Sequence, residues 1–170
     1  MPDKYIRLDT ADGTLKETEA IDSSAGAGDA GKIPALDGTG RLPANMMPVG
    51  IGADTQSIEA SENLAAGDFV NVWNDAGTTK VRKADATTAG KHAHGFVLAV
   101  VTSGNQATVY FEGTNTQVSG QTGGDVFLST TPGVATATPP AAAGNVVQRL
   151  GVATSATTIN VETSAPVVLA

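Results

Sequence analysis

The sequence predicts a mainly β protein: a small β-barrel or sandwich-like domain, preceded by an N-terminal hairpin and an extended Gly/Pro-rich segment. Three observations lead to this prediction. Short apolar or alternating runs recur along residues 55–170 between turn-forming segments, which is typical of sandwiches and barrels. The 170 residues include 20 Gly and 8 Pro, and these interrupt the chain too often for long helices. The chain also shows no sustained helical periodicity.

The hairpin is predicted at the start of the chain. Residues 5–8 alternate apolar and polar, and residues 15–21 form a second strand-like run with apolar ends. Between these runs lies Ala11-Asp12-Gly13-Thr14, in which Asp-Gly is a strong hairpin turn signal. Because an isolated hairpin is marginally stable in water, this one needs a surface to pack against.

Residues 23–54 differ in composition from the rest of the chain. Gly and Pro recur so densely there that neither a long helix nor a central strand fits. Large apolar residues are spaced singly through the segment, whereas a flexible linker is rich in Gly and Ser. We therefore expect an extended attachment or oligomerisation segment that docks side chains on a partner surface or wraps neighbouring copies of the chain, with a flexible linker as the alternative. The candidate contact residues of the hairpin and this segment are Tyr5, Ile6, Leu8, Ile33, Leu36, Leu42, Met46, Met47 and Ile51.

Residues 55–170 are predicted to form one β domain, so that the chain divides into 1–54 and 55–170. The nearly all-apolar run 95–101 predicts a central strand buried on both faces, and the alternating run 158–163 predicts a strand with one wet face. A short helical turn fits around residues 61–65. The predicted strands span residues 69–73, 80–84, 95–101, 107–112, 125–129, 146–153 and 158–163.

The aromatic residues of the β domain all fall in or beside these predicted strands. That placement predicts core or subunit-interface anchors rather than a ligand cage. Only 4% of all residues are aromatic, and much of the hydrophobic 41% is Ala and Val. Since small side chains contribute little burial energy, a thin core predicts that the chain associates with further copies. The residues in question are Phe69, Trp73, Phe96, Tyr110, Phe111 and Phe127.

Charge and length exclude several partners. The formal net charge is −7, and the longest basic cluster is only the four residues 80–83, so we expect no nucleic acid partner. The longest apolar run is far shorter than the ~20 residues that span a bilayer, so we expect a protein made in the cytoplasm without a membrane contact. The chain has no Cys, which excludes disulfides and thiolate chemistry.

Two motifs could suggest chemistry, and neither does so strongly. The run from Gly26 to Lys32 matches the start of a phosphate-binding loop, but Ile33 replaces the required hydroxyl residue and Pro34 opposes the helix that should follow. His92 and His94 share a face in an extended chain, yet two residues alone do not make a metal site. No nucleophile elbow occurs. We therefore predict a protein that is not an enzyme, with no catalytic residue, no metal and no cofactor.

A string of motifs along nearly the whole chain resembles one group of proteins. These motifs occupy residues 24–48, 66–70, 81–86, 94–97, 128–133, 144–148 and 151–155. With them, the chain is similar to the capsid decoration and head-fibre proteins of tailed bacteriophages, whose related modules also occur in phage tail fibres.

The resemblance implies a structural protein of the virion, made in the host cytoplasm and mounted on the capsid exterior. It implies a homotrimer with a compact β-barrel-like domain, one end of which grips the major capsid protein and stabilises the shell. It transfers no catalytic residue. A tail-fibre or baseplate appendage that contacts the host surface is the alternative, although the chain has no long fibrous shaft, heptad run or Gly-X-Y repeat.

Overall fold

The computed structural model describes residues 3–43, 46–47 and 53–170. The fold is mainly β, as the sequence predicts, and the chain divides into two compact units, Met1–Gly52 and Ala53–Ala170. The strands of both units pair antiparallel, except for one parallel strand pair in the second unit.

The N-terminal unit contains the predicted hairpin. Strand β1 (Lys4–Leu8) pairs with β2 (Leu15–Glu19) in an antiparallel register that sets Leu8 opposite Leu15. The Asp-Gly signal is confirmed as the turn. Gly13 takes a φ of +73°, which Gly adopts without steric cost, and the Asp12 carboxylate accepts hydrogen bonds from the Thr14 backbone and hydroxyl.

The remainder of the first unit does not confirm an extended segment. A 3-10 helix forms at Ala27–Asp29, and Ile21 forms a parallel bridge with Pro34. Further on, the Asp37 carboxylate accepts hydrogen bonds from Thr39 and from the Arg41 backbone, so residues 37–41 form a closed loop. Part of the predicted segment lies outside the described residues, so a docking role for it stays a prediction.

The second unit begins with a closed five-stranded barrel. Around the barrel the order is β3-β5-β4-β6-β7, and β7 pairs back with β3 to complete the ring. The pair β3–β5 is parallel, and the other pairs are antiparallel. The strands are β3 (Thr55–Ala60), β4 (Phe69–Asp75), β5 (Thr78–Lys83), β6 (Gly95–Val97) and β7 (Gln106–Tyr110).

A second sheet follows the barrel, in the order β10-β9-β12-β13-β8, and a short pair joins β11 to β14. The longest of these strands, β12, carries bulges in its pairing with both neighbours. The strands are β8 (Gly113–Asn115), β9 (Gly124–Leu128), β10 (Ala135–Thr136), β11 (Val146–Val147), β12 (Arg149–Ser155), β13 (Thr158–Val161) and β14 (Val167–Val168).

The core of the second unit has two parts. One cluster fills the barrel and includes Ile58, Val81 and Val109. The other unites barrel residues such as Phe96 with second-sheet residues such as Leu150, so the two sheets share a core. Among the aromatic residues, Phe69 and Phe96 are fully buried, which confirms their predicted core role. The others, which are only half-buried, are Trp73, Tyr110, Phe111 and Phe127.

Several strand predictions need correction. The run 95–101 forms a central barrel strand only over Gly95–Val97, and Val100 is 77% exposed, so a strand buried throughout was wrong. The ladder ends there because the backbone of Val97 turns to pair with Gly67 and Asp68, and Val101 bridges to Leu64. Residues 61–65 contain bends and this bridge in place of the expected helical turn. The sequence predictions also missed β3, β8, β10 and β14.

Candidate interaction surfaces

One face of the N-terminal hairpin is an exposed apolar surface. Alternation along each strand and the pairing register place Ile6, Leu8 and Leu15 on the same face. These side chains are 62%, 58% and 73% exposed, respectively. We call these three residues the hairpin patch. An ion pair between Lys4 and Glu17, on the same face, lies at one end of it.

The opposite face of the hairpin is more covered. Tyr5 and Thr18 are cross-strand partners there, and both are half-buried. The Tyr5 hydroxyl is removed from solvent and has no hydrogen-bond partner among the described residues. Tyr5, a predicted contact residue, therefore does not join Ile6 and Leu8 on the exposed face.

The other predicted contact residues are spread through the first unit. Met46 and Met47 are half-buried, and Ile51 lies outside the described residues. No described residue of this unit is buried, so its exposed aliphatic side chains have no core of their own to join. Besides Ile6 and Leu8, the exposed members of the predicted contact residues are Ile33, Leu36 and Leu42. The last two flank the closed loop 37–41.

The sequence predictions did not name Leu15 among the candidate contact residues. It is the most exposed member of the hairpin patch, and it lies directly opposite Leu8. The signal that would have found it is the turn: once the hairpin is centred between Ala11 and Asp12, residues 8 and 15 become partners across the strands.

A second candidate surface, which is polar, lies on the barrel where β4 and β5 pair. The Arg82 guanidinium is 4.4 Å from the centroid of the Trp73 ring, which is a cation–π contact. Arg82 Nε donates a 3.0 Å hydrogen bond to Asn71 Oδ1, and Asn71 Nδ2 donates a 2.7 Å bond to the His92 carbonyl. Together with His94 these residues form what we call the Arg82 cluster.

His94 has a fixed tautomer in this cluster. The Val72 backbone N–H donates to His94 Nδ1 over 3.0 Å, so Nδ1 carries no proton and the neutral ring holds its proton on Nε2. Burial, helped by the neighbouring His92 ring 4.5 Å away, lowers the pKa of His94 below the usual value of a histidine. His92 and His94 lie in the loop between β5 and β6, and the described residues contain no group of three ligands for a metal ion.

The phosphate-loop-like run uses its lysine internally. Lys32 Nζ lies 2.7 Å from Asp29 Oδ1, and the other oxygen of that carboxylate accepts from the Ala25 backbone. The hydrogen bonds from the Lys32 ammonium and the Ala25 backbone hold the pKa of Asp29 below its usual range. Pro34 bridges to Ile21 at the position where a phosphate-binding loop would begin its helix.

Within the described ranges, no helix is long and apolar enough to cross a membrane.

No protein-family model, curated protein or solved structure matches this chain.

Proposed function

We propose that this chain is a structural protein of a tailed-phage virion that binds the outside of the capsid as a decoration or head-fibre protein and stabilises the shell. One observation supports a binding role above all. The N-terminal unit exposes a row of large aliphatic side chains and, among its described residues, buries none. Such apolar surface on a folded segment indicates an interaction site.

The proposed contact is made by residues 1–54, with the β domain projecting outward. The hairpin patch supplies apolar area, and removing this area from water on contact favours binding. Among the described residues of the N-terminal unit, the two strands of the hairpin each have one edge without a strand partner. An unpaired edge suits the addition of a strand from the major capsid protein. A protein that binds only the mature shell stabilises that shell by mass action.

Self-association as a homotrimer belongs to the same proposal. The β domain fills its interior with small residues, since Ala60, Ala84, Ala86, Ala93 and Ala107 all belong to the buried clusters. A core of this kind gains from burial between copies. Sedimentation equilibrium of the purified chain tests this point directly. A species three times the 17.0 kDa chain mass is expected at micromolar concentration, and a stable monomer contradicts it.

The position on the virion is tested by imaging. Electron cryomicroscopy of virions produced with and without this chain should show density on the capsid exterior that is lost in the deficient particles. Loss of density at the tail or baseplate instead would replace the capsid proposal with the appendage alternative.

The placement of the contact is tested by a truncation that lacks residues 1–52, which are the first compact unit. The truncated protein should fail to bind purified shells while the full chain binds. If it decorates shells with unchanged affinity, the contact lies in the β domain.

A further inference from the structure

We propose that Arg82 anchors a binding site for a single carboxylate carried by a partner protein. The site lies on the β domain and does not depend on the capsid assignment, because it uses none of the residues of the N-terminal unit.

The guanidinium is fixed in place by two neighbours. Trp73 covers one of its faces at 4.4 Å, and Asn71 accepts the hydrogen bond from Nε at 3.0 Å. Both neighbours are themselves held. Asn71 is 1% exposed and donates to the His92 carbonyl, and the Trp73 indole N–H donates to Ser61 Oγ at 3.3 Å. A partner that binds here therefore loses little affinity to the ordering of the arginine side chain.

The terminal edge of the guanidinium is left for a ligand. Within the described part of the chain, the two Nη atoms of Arg82 make no hydrogen bond or ion pair, and neither is buried without a partner. They therefore reach solvent. The Nη atoms of a guanidinium hold two parallel N–H groups that match the two oxygens of a carboxylate.

The absence of an internal carboxylate at Arg82 is informative in this chain. Asp and Glu outnumber Lys and Arg by 17 to 10. Three of the five Lys and Arg residues in the β domain are paired with carboxylates, namely Lys80, Lys83 and Arg149. The other two described cations of the β domain, Arg82 and Lys91, make no ion pair, and of these two only Arg82 contacts an aromatic ring and a buried amide.

The surroundings favour one carboxylate over an extended polyanion. The neighbouring Lys80 is already matched by Glu59 and Asp75, so it adds no free positive charge beside Arg82. With a net charge of −7, the chain as a whole repels nucleic acid and other polyanions. A single side-chain carboxylate on a partner protein needs only the two parallel N–H groups of the Arg82 guanidinium, without further positive charge nearby.

The chain offers a built-in reporter, because Trp73 is its only tryptophan. The indole N–H therefore gives one signal in a nitrogen-15 NMR spectrum, and that signal lies beside the proposed site. We would titrate the full chain at constant ionic strength with a short glutamate-containing peptide whose termini are blocked. A saturable shift of the indole signal is expected.

Variants identify the group responsible. Arg82→Gln should weaken the peptide affinity by at least about tenfold, because it removes the charged fork. Arg82→Lys keeps the charge without the fork and should bind between the two. Lys91→Gln is the matched control, since it removes an unpaired cation of the same domain, and it should bind as the wild type does. Circular dichroism confirms that each variant is folded.

Three outcomes would overturn the proposal. One is a linear shift without saturation. Another is that Arg82→Gln and Arg82→Lys bind the peptide with the same affinity as the wild type. The third is that glucuronate or inorganic phosphate binds more tightly than the peptide, which would assign the site to an acidic sugar or a phosphate rather than to a protein carboxylate.

Discussion

Replacing Leu15 by Ser perturbs the hairpin patch at its most exposed member. Fully burying a Leu side chain stabilises by roughly 1.5–3 kcal/mol. Because Leu15 is 73% exposed in the free chain, most of that gain remains to be realised on contact, about 1–2 kcal/mol. Losing it should raise the Kd for capsid shells roughly five- to thirty-fold. The free energy of unfolding should hardly change, since exposed positions contribute little to it.

The assay is co-sedimentation of labelled protein with purified shells, with bound and free fractions measured over a range of shell concentrations. Val100→Ser serves as the matched control, because Val100 is a similarly exposed aliphatic residue, 77% exposed, on the β domain. Only Leu15→Ser should weaken binding. If Leu15→Ser binds shells as tightly as the wild type does, the hairpin patch is not the contact. If both variants bind more weakly than the wild type by the same factor, exposed apolar residues anywhere on the chain drive adsorption.

Three other predictions concern the β domain. Leu150→Ala should lower the free energy of unfolding by about 2–5 kcal/mol, because the side chain is fully buried between the two sheets, and urea denaturation measures it. A fragment of residues 53–170 should give a β circular dichroism spectrum and a cooperative melt, since those residues form a compact unit with its own core; a disordered spectrum would contradict this. The free energy of unfolding should fall as the pH drops below about 6.5, because the pKa of His94 is lowered in the folded chain and the unfolded chain therefore binds the proton first. Urea midpoints measured between about pH 7.5 and about pH 5.5 should fall less in His94→Gln than in the wild type.

Local signals in the sequence predicted much of the fold. The hairpin follows from the Asp12-Gly13 turn, and the alternation at β13 correctly predicted buried Ile159 and Val161 beside exposed Asn160. These signals succeed because turn chemistry and side-chain alternation act over a few residues.

The strands that sequence reasoning missed depend on distant partners. Strand β3 contains Thr, Gln, Ser and Glu and resembles a loop in composition, yet it is held by pairing with β7 and with β5. The run 95–101 fails in the opposite sense. Its composition predicts burial to the end, but Val100 faces solvent once the ladder stops at Val97. Hydrophobicity alone does not fix where a strand's partner ends.

The two candidate surfaces differ in how far sequence predicted them. Ile6 and Leu8 were among the predicted contact residues, because large apolar residues in a small hairpin are visible in the sequence. The Arg82 cluster was not found, because it depends on the register that sets Asn71 opposite Arg82 and on a loop that returns His92 and His94 beside β4. Neither the register nor the loop path has a local signature.

The parallel pairing of β3 with β5 has a consequence for the order in which the domain assembles during synthesis. Of the barrel strands, β3 leaves the ribosome first, but the antiparallel partner that closes the ring, β7, begins only at Gln106. Until then β3 contacts β5 through Glu59 and Ala60 alone. A nascent chain that stops short of β7 therefore carries an open sheet with unpaired edges, the form in which this domain is most exposed to pairing with another unfinished copy.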